Sequence, residues 1–233
     1  MSDIGTLPNV EDRKDTRASQ LVRQIREEIL RGEIEPGSKI NIERLRERMD
    51  VSLSPLREAL ARLSSDGLIE MEDNRGFRVA PLSLSNLAEV TQLRVVFELI
   101  ALRHAMAAGD IEWEGDVMRA LHRLTKLVRD PAEPQTLEAW EAAHNEFHLT
   151  LLEGCRMPLL LQFCRILLNL NDRYRRILLQ ASGGDRNTLP EHVVIAEAAV
   201  ARKVGVACEA LRNHIERTGT NLHRHLSRQL QDV

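Results

Sequence analysis

The sequence predicts a mainly α protein in two parts: an amino-terminal winged helix-turn-helix with a small β-hairpin wing, then an antiparallel all-α bundle. Three observations lead there. From Ala18 onward, apolar residues recur at helical spacing along most of the chain. Strand-like residues are confined to two short runs, Leu68–Met71 and Phe77–Val79, flanking the turn residues Asp73-Asn74-Arg75-Gly76. Aromatic residues make up only 3% of the chain while Leu and Ala abound, a balance that favours helices over a sandwich or barrel.

A chain of 233 residues suits one large domain or two smaller ones. Its net charge of −3 announces no nucleic-acid partner, and residues 17–80 carry twelve acidic and twelve basic side chains. Any DNA-binding surface must therefore arise from how charge is arranged, with acids turned away. Cys155, Cys164 and Cys208 lack a CxxC spacing and sit in apolar helical surroundings, as expected of small core residues in a reducing compartment. There is no signal-peptide pattern and no apolar run near ~20 residues, so a cytoplasmic protein without a membrane partner is expected.

Residues 1–16 are polar and aperiodic and read as a flexible tail. The DNA-binding part spans 17–80. Leu21, Ile25 and Ile29 mark a first helix ending at Gly32, and Pro36-Gly37 makes a turn. Asn41 caps a short second helix that carries Arg44 and buries Leu45 and Met49. Ser52 or Ser54 then caps a third, with Pro55 in its first turn, where the missing N–H costs nothing. Leu56, Ala59, Leu60 and Leu63 form one apolar stripe, Ser54, Arg57 and Ala61 lie off it, and Gly67 stops the helix. An apolar back with a slim cationic front is what a helix needs to enter the major groove. In the wing, Arg75 and Arg78 are placed to reach phosphate or minor groove, with Gly76 allowing close backbone approach. Residues 81–84 break periodicity as a linker, and 85–230 read as six helices. The first carries Leu87, Val90, Leu93, Phe97, Ile100 and Leu102; the others cover about 111–129, 135–154, 157–181, 190–204 and 206–230, broken at Asp130-Pro131, Pro158, Ser182-Gly183-Gly184 and Gly205.

The run Val51-Ser52-Leu53-Ser54-Pro55-Leu56-Arg57-Glu58-Ala59-Leu60, with Gly67-Leu68-Ile69 after it, resembles the reading helix of GntR-type winged-helix regulators. The match extends upstream through Ile29, Gly32, Ile34, Pro36-Gly37, Ile40 and Leu45, and downstream to Arg75-Gly76-Phe77-Arg78-Val79. The resemblance implies duplex DNA as partner, read by Arg44, Ser52, Leu53, Ser54, Arg57, Arg75 and Gly76. Leu53 stands where most members of that family carry an Arg.

Leu93-Arg94-x-x-x-Glu98, followed by Ala101 and Ala105, is similar to the opening of the FCD domain of the FadR branch of that family. His144 and His148 lie at i and i+4, on one face of a helix and close enough to share a metal. His192 and His214 follow on later helices. By position, His148, His192 and His214 match the metal ligands of the FCD family, and His144 occupies the place usually held by Asp or Asn. The swap keeps a ligand and removes a negative charge. The implied cofactor is a divalent transition metal, zinc first, with nickel, iron or manganese as alternatives. The implied effector is a small carboxylate near that metal. Arg94 would pair with it or, equally, with Glu98 one turn on; Arg175 and Arg176 are further candidates, and which of them faces inward is left open. His104, His122, His223 and His225 have no motif around them and read as surface groups.

The competing class is a metal-dependent enzyme. In the HExxH motif of zinc proteases the Glu directly follows the first His, whereas Glu146 falls two residues after His144, roughly 200° around the helix. Nucleophile elbows, phosphate loops and dinucleotide fingerprints are all missing. The expectation is therefore a homodimeric repressor on a palindromic operator, its half-sites about one DNA turn apart, switched by the carboxylate.

Overall fold

The computed structural model describes residues 16–72, 76–128, 133–180 and 187–231. The chain divides into two compact units, one holding the chain to Ile29 with residues 33–80, the other Leu30–Gly32 with everything from Pro81 onward. The first unit contains α1 (Arg17–Leu30), β1 (Lys39–Ile40), α2 (Ile42–Arg48), α3 (Leu53–Ser65), β2 (Ile69–Glu72) and β3 (Gly76–Val79). The Asn41 side chain caps α2, accepting from the Arg44 amide at 3.0 Å. Ser52 occupies the N-cap of α3 in extended conformation, but its hydroxyl makes no capping bond, nor does Ser54, which lies inside the helix. The helix closes as expected: Gly67 adopts φ +72°, a conformation that side chains with a Cβ resist.

The wing is a three-stranded antiparallel sheet in the order β1-β3-β2, with Lys39 opposite Arg78 and Met71 opposite Phe77. The hairpin was legible and β1 was not, because two residues carry no alternation and earn strand geometry only from pairing across nearly forty positions. Ile25, Ile29, Leu56, Ala59, Leu60, Leu63 and Val79 are fully buried and form this unit's core.

The second unit is all helical: α4 (Leu84–Ala108), α5 (Ile111–Lys126), α6 (Pro134–Glu153), α7 (Pro158–Gln180), α8 (Leu189–Val200) and α9 (Val204–Gln231). Helix α4 runs through the bundle against α6, α7 and α9, while α5 covers α6 and α8. The boundary between α8 and α9 differs from expectation. Gly205 lies inside the first turn of α9, and the break falls at Arg202 with φ +56°. The strain there is offset by what the Arg202 guanidinium does. It donates to the Met106 and Gly109 carbonyls at 2.6 and 2.7 Å, pairs with Glu114 at 2.6 Å and lies over the Trp113 ring at 4.9 Å. A cation thus satisfies the open carbonyls at the end of α4. The predicted breaks at Asp130-Pro131 and Ser182-Gly183-Gly184 lie outside the described residues. All three cysteines are free and buried, and burial pushes the Cys164 thiol up to about 12, which leaves it unreactive.

Where α4 and α9 touch, a Cβ on Gly219 would sit 2.6 Å from the Thr91 side chain, so only glycine permits this approach. Gly115, inside α5, would meet nothing within 4 Å. Gly115→Ala should therefore raise stability by about 0.5–1 kcal/mol through helix propensity, and Gly219→Ala should lower it despite the same local gain. Urea midpoints at constant slope test the contrast, and a stabilised Gly219→Ala would show that the two helices part freely.

Candidate metal centre and DNA-reading face

Helix α3 buries Leu56, Ala59, Leu60 and Leu63 completely and turns Ser54, Arg57, Glu58 and Ala61 outward. Ser52 is exposed before it, Leu53 is half-buried, Arg44 is exposed on α2, and Gly76 opens β3 with φ +90°. Arg75 lies outside the described residues. Ion pairs engage several of this unit's arginines. Arg26 pairs with Asp66, Arg46 with Glu43, Arg48 with Glu28, Arg62 with Glu58 and Arg78 with Glu72. Arg44 and Arg57 form no ion pair among the described residues, so their charge is left for a partner. Arg78 differs from expectation: it braces the sheet through Glu72 and the Gly37 carbonyl rather than reaching outward.

In the second unit, His144 and His148 project from α6, His192 from α8 and His214 from α9. All four rings are buried, and one nitrogen from each lies within 4.8 Å of the others. Metal–imidazole bonds of about 2.0–2.1 Å put nitrogens at most about 4.2 Å apart across one ion, so small ring rotations close the set. Phe147 meets His148 and His192 edge-on, at 5.5 and 5.2 Å between centroids, and floors the cluster. Burial, then the Arg175 charge, then the other three rings hold His144 well below the usual imidazole range. Burial and then the neighbouring rings do the same for His148. These are neutral imidazoles, the state in which the ring ligates metal. Neither His148 nitrogen nor Nδ1 of His144 has a hydrogen-bond partner among the described residues. Buried ring nitrogens left so are what a metal would satisfy. The residues fit a divalent transition metal.

Arginines and carboxylates surround the rings. Arg94 forks onto Glu98, Nε to Oε1 at 2.6 Å and Nη2 to Oε2 at 3.4 Å, both side chains being buried. Of the two partners open to Arg94, this is the intra-helix one. Burial raises the Glu98 pKa against the opposing pull of Arg94. Arg175 is the inward-facing member of its pair: it binds Glu141 and, at 2.8 Å, Asp172, and lies 5.4 Å over Trp140, which stacks on His144 at 5.0 Å. Its Nε and Nη1 are buried without partners among the described residues. Arg176 turns its Nε to the other oxygen of Asp172 at 3.0 Å. Glu141, Asp172, Trp140 and Glu191 are site residues that sequence reasoning missed. Glu141 stands three positions before His144 on the same helix face, a signal that was available. His104, His122 and His223 are exposed and His225 is half-buried, apart from the cluster.

With these features in view, the comparisons with known proteins become interpretable. The profile of the gntR family of bacterial regulatory proteins matches residues 17–79, and that of the FCD domain matches residues 89–217. The chain belongs to the GntR family, in the branch that carries an FCD domain. It is 35% identical over 198 residues to the uncharacterised HTH-type transcriptional regulator BphR of Paraburkholderia xenovorans, covering 83% of this chain and 80% of that one. It is 32% identical over 197 residues to the HTH-type transcriptional repressor GlaR of Escherichia coli, covering 83% and 90%. The solved structure of E. coli McbR/YncC superposes with a TM-score of 0.74 at 18% identity, covering 90% of this chain and 98% of that one, which shows a shared fold. This GntR–FCD chain is thus a DNA-binding transcription regulator of a family that is not enzymatic, and its histidine cluster can hold a metal ion. Among the described residues, no helix is long and apolar enough to cross a membrane.

Because the folded-state pKa of His144 lies well below the ordinary imidazole value of about 6.5, the unfolded chain binds more protons below that pH. His148 acts in the same direction. Stability of the metal-free protein is therefore full above about pH 7 and should decline as pH falls from there toward about 5. Urea midpoints across that range measure it, and a flat profile would mean the rings accept protons in place.

Proposed function

We propose that this regulator is a metal-loaded, carboxylate-responsive repressor that binds a palindromic operator as a homodimer. The observation that carries the reading is Arg175, buried beside four buried imidazoles with Nε and Nη1 unpartnered among the described residues. A bound metal would hold one end of a small carboxylate, and a guanidinium fork suits the carboxylate itself. Arg94 is the second anchor, reached by displacing Glu98 from its fork. His144, His148, His192 and His214 would be the ligands, and zinc, nickel, iron and manganese all suit an imidazole set to different degrees. The named GlaR relative is a repressor, which favours that sign of control here.

Helix α7 would supply a route from the histidine cluster to the linker. Asp172, Arg175 and Arg176 recur at helical spacing on its site-facing side. The residues between them hold the start of the second unit: Arg173 donates to the Pro81 carbonyl at 2.8 Å, and the Tyr174 hydroxyl bonds Ser83 and, at 2.9 Å, Asn86. A ligand that moves Arg175 moves the helix gripping the linker. On DNA, Arg57 and Ser54 would read base edges from α3, Leu53 would meet a thymine methyl, and Arg44, Ser52, Arg75 and Gly76 would meet the backbone.

The second copy would seat on an exposed apolar face of α4 and α7. Leu93, Val96 and Ile100 line it on α4, and Leu159 and Phe163 on α7, with Phe163 stacked on Phe97 at 5.8 Å. A twofold operator needs a self-complementary face, and this one lies on the two helices that also carry Arg94 and Arg175. Val96→Glu should yield monomers by sedimentation and weaken operator binding; a dimer of unchanged stability would move the interface elsewhere. The reading as a whole is tested by mapping the protected operator and screening carboxylates for its release from zinc-loaded protein. Arg57→Ala should weaken operator binding about tenfold to a hundredfold with the bundle still folded. Arg175→Ala should bind operator normally and lose the release; full release from that variant would overturn its role.

A further inference from the structure

All four candidate ligands are imidazoles, and none is a carboxylate or thiolate. A divalent ion among them would have no negative charge in its first coordination sphere from this chain. The carboxylates stand one layer out. Glu191 Oε2 lies 2.9 Å from His214 Nδ1, and Glu191 Oε1 lies 2.6 Å from Arg217 Nη1. A carboxylate only accepts, so the ring carries a proton on Nδ1 and in its neutral form presents the Nε2 lone pair. Arg217 follows His214 by three positions and shares its face of α9, so one carboxylate is held at both ends. On α8, Glu191 directly precedes His192. One turn of that helix thus supplies a candidate ligand and the outer partner of a ligand on the next helix. Glu98 is different: at 3.9 Å from His148 Nδ1 it is too far to hydrogen-bond the ring, and both its oxygens go to Arg94.

We propose that Glu191 is a positioning residue for the metal centre, fixing the His214 tautomer and supplying from the second layer the negative charge that the ligand set lacks. This rests on the reading of the histidine cluster as a metal site. Outer carboxylates of this kind raise the basicity of the ligating nitrogen and lock the ring's orientation, and their loss typically lowers metal affinity ten- to a hundredfold.

The test uses the full chain and Zn²⁺ alone, in competition with a chromophoric chelator. Glu191→Ala should lower affinity about ten- to a hundredfold, and Glu191→Gln, whose amide oxygen still accepts from Nδ1, should lose less. Arg217→Ala removes the ion pair and leaves the ring contact, so its affinity should stay close to that of the wild type. In the metal-free wild type, long-range ¹H–¹⁵N couplings should show His214 as the Nδ1–H form, and Glu191→Ala should lose that preference. Co²⁺ substitution adds a signature that a merely structural role would not move, since the d–d bands should shift in Glu191→Ala and hold in Arg217→Ala. Undiminished zinc affinity in Glu191→Ala overturns the proposal. So does an equal loss in Arg217→Ala, which would make Glu191 a strut between helices. A wild type with the Nδ1–H form present but no zinc uptake would instead overturn the metal-site reading itself.

Discussion

Burying four imidazoles side by side is the constraint on which the second unit depends. Each ring brings two polar nitrogens into the interior of a bundle whose apolar core includes Phe147, Ile195, Leu211 and Ile215. Uncompensated, such groups cost on the order of 1–3 kcal/mol apiece. A helical bundle tolerates that cost only where something restores the lost hydrogen bonds. Glu191 does so for one nitrogen of His214. For His148 neither nitrogen has a hydrogen-bond partner among the described residues, and apolar packing would have been the more stable choice at that position. The cluster therefore costs stability as long as no ion satisfies its nitrogens, and its geometry can hold one.

The same economy governs charge in the first unit. Its arginines are mostly committed to carboxylates, often on another helix: Arg26 on α1 to Asp66 beyond α3, Arg48 on α2 to Glu28 on α1. Such pairs contribute little net stability individually when exposed. Their larger effect is subtraction. By holding Arg46, Arg48 and Arg62 on Glu43, Glu28 and Glu58 they leave Arg44 and Arg57 as the arginines of α2 and α3 unpaired among the described residues.

How much of this was legible depends on how local the cause is. Helix periodicity showed α3, its buried stripe and its outward Arg57, because side chains three and four apart share a face whatever the rest of the chain does. The i, i+4 pair His144 and His148 was readable for the same reason, and their meeting with His192 and His214 came only from resemblance to a family layout. What stayed hidden was decided across space. Strand β1 exists by pairing with β3. Arg78 was expected to face solvent and is drawn to Glu72 and Gly37. The α8–α9 break sits at Arg202 because carbonyls at the distant end of α4 need a cation, which outweighs the flexibility of Gly205. Glu191 reaches His214 over 23 positions, and no spacing rule on one helix could have joined them.

Charge also argues for the chemistry of the ligand. Among the described residues around the rings, Arg94, Arg175 and Arg176 stand against Glu98, Glu141 and Asp172, three cations against three carboxylates before any metal enters. A divalent ion held by four imidazoles would add two positive charges, and Glu191 is already shared with Arg217. Low-dielectric surroundings make such an excess costly unless an anion joins it. A neutral effector would leave the imbalance untouched. A carboxylate would reduce it while meeting the open edge of Arg175, and the free energy of that neutralisation is available to shift α7, which holds both Arg175 and the linker contacts.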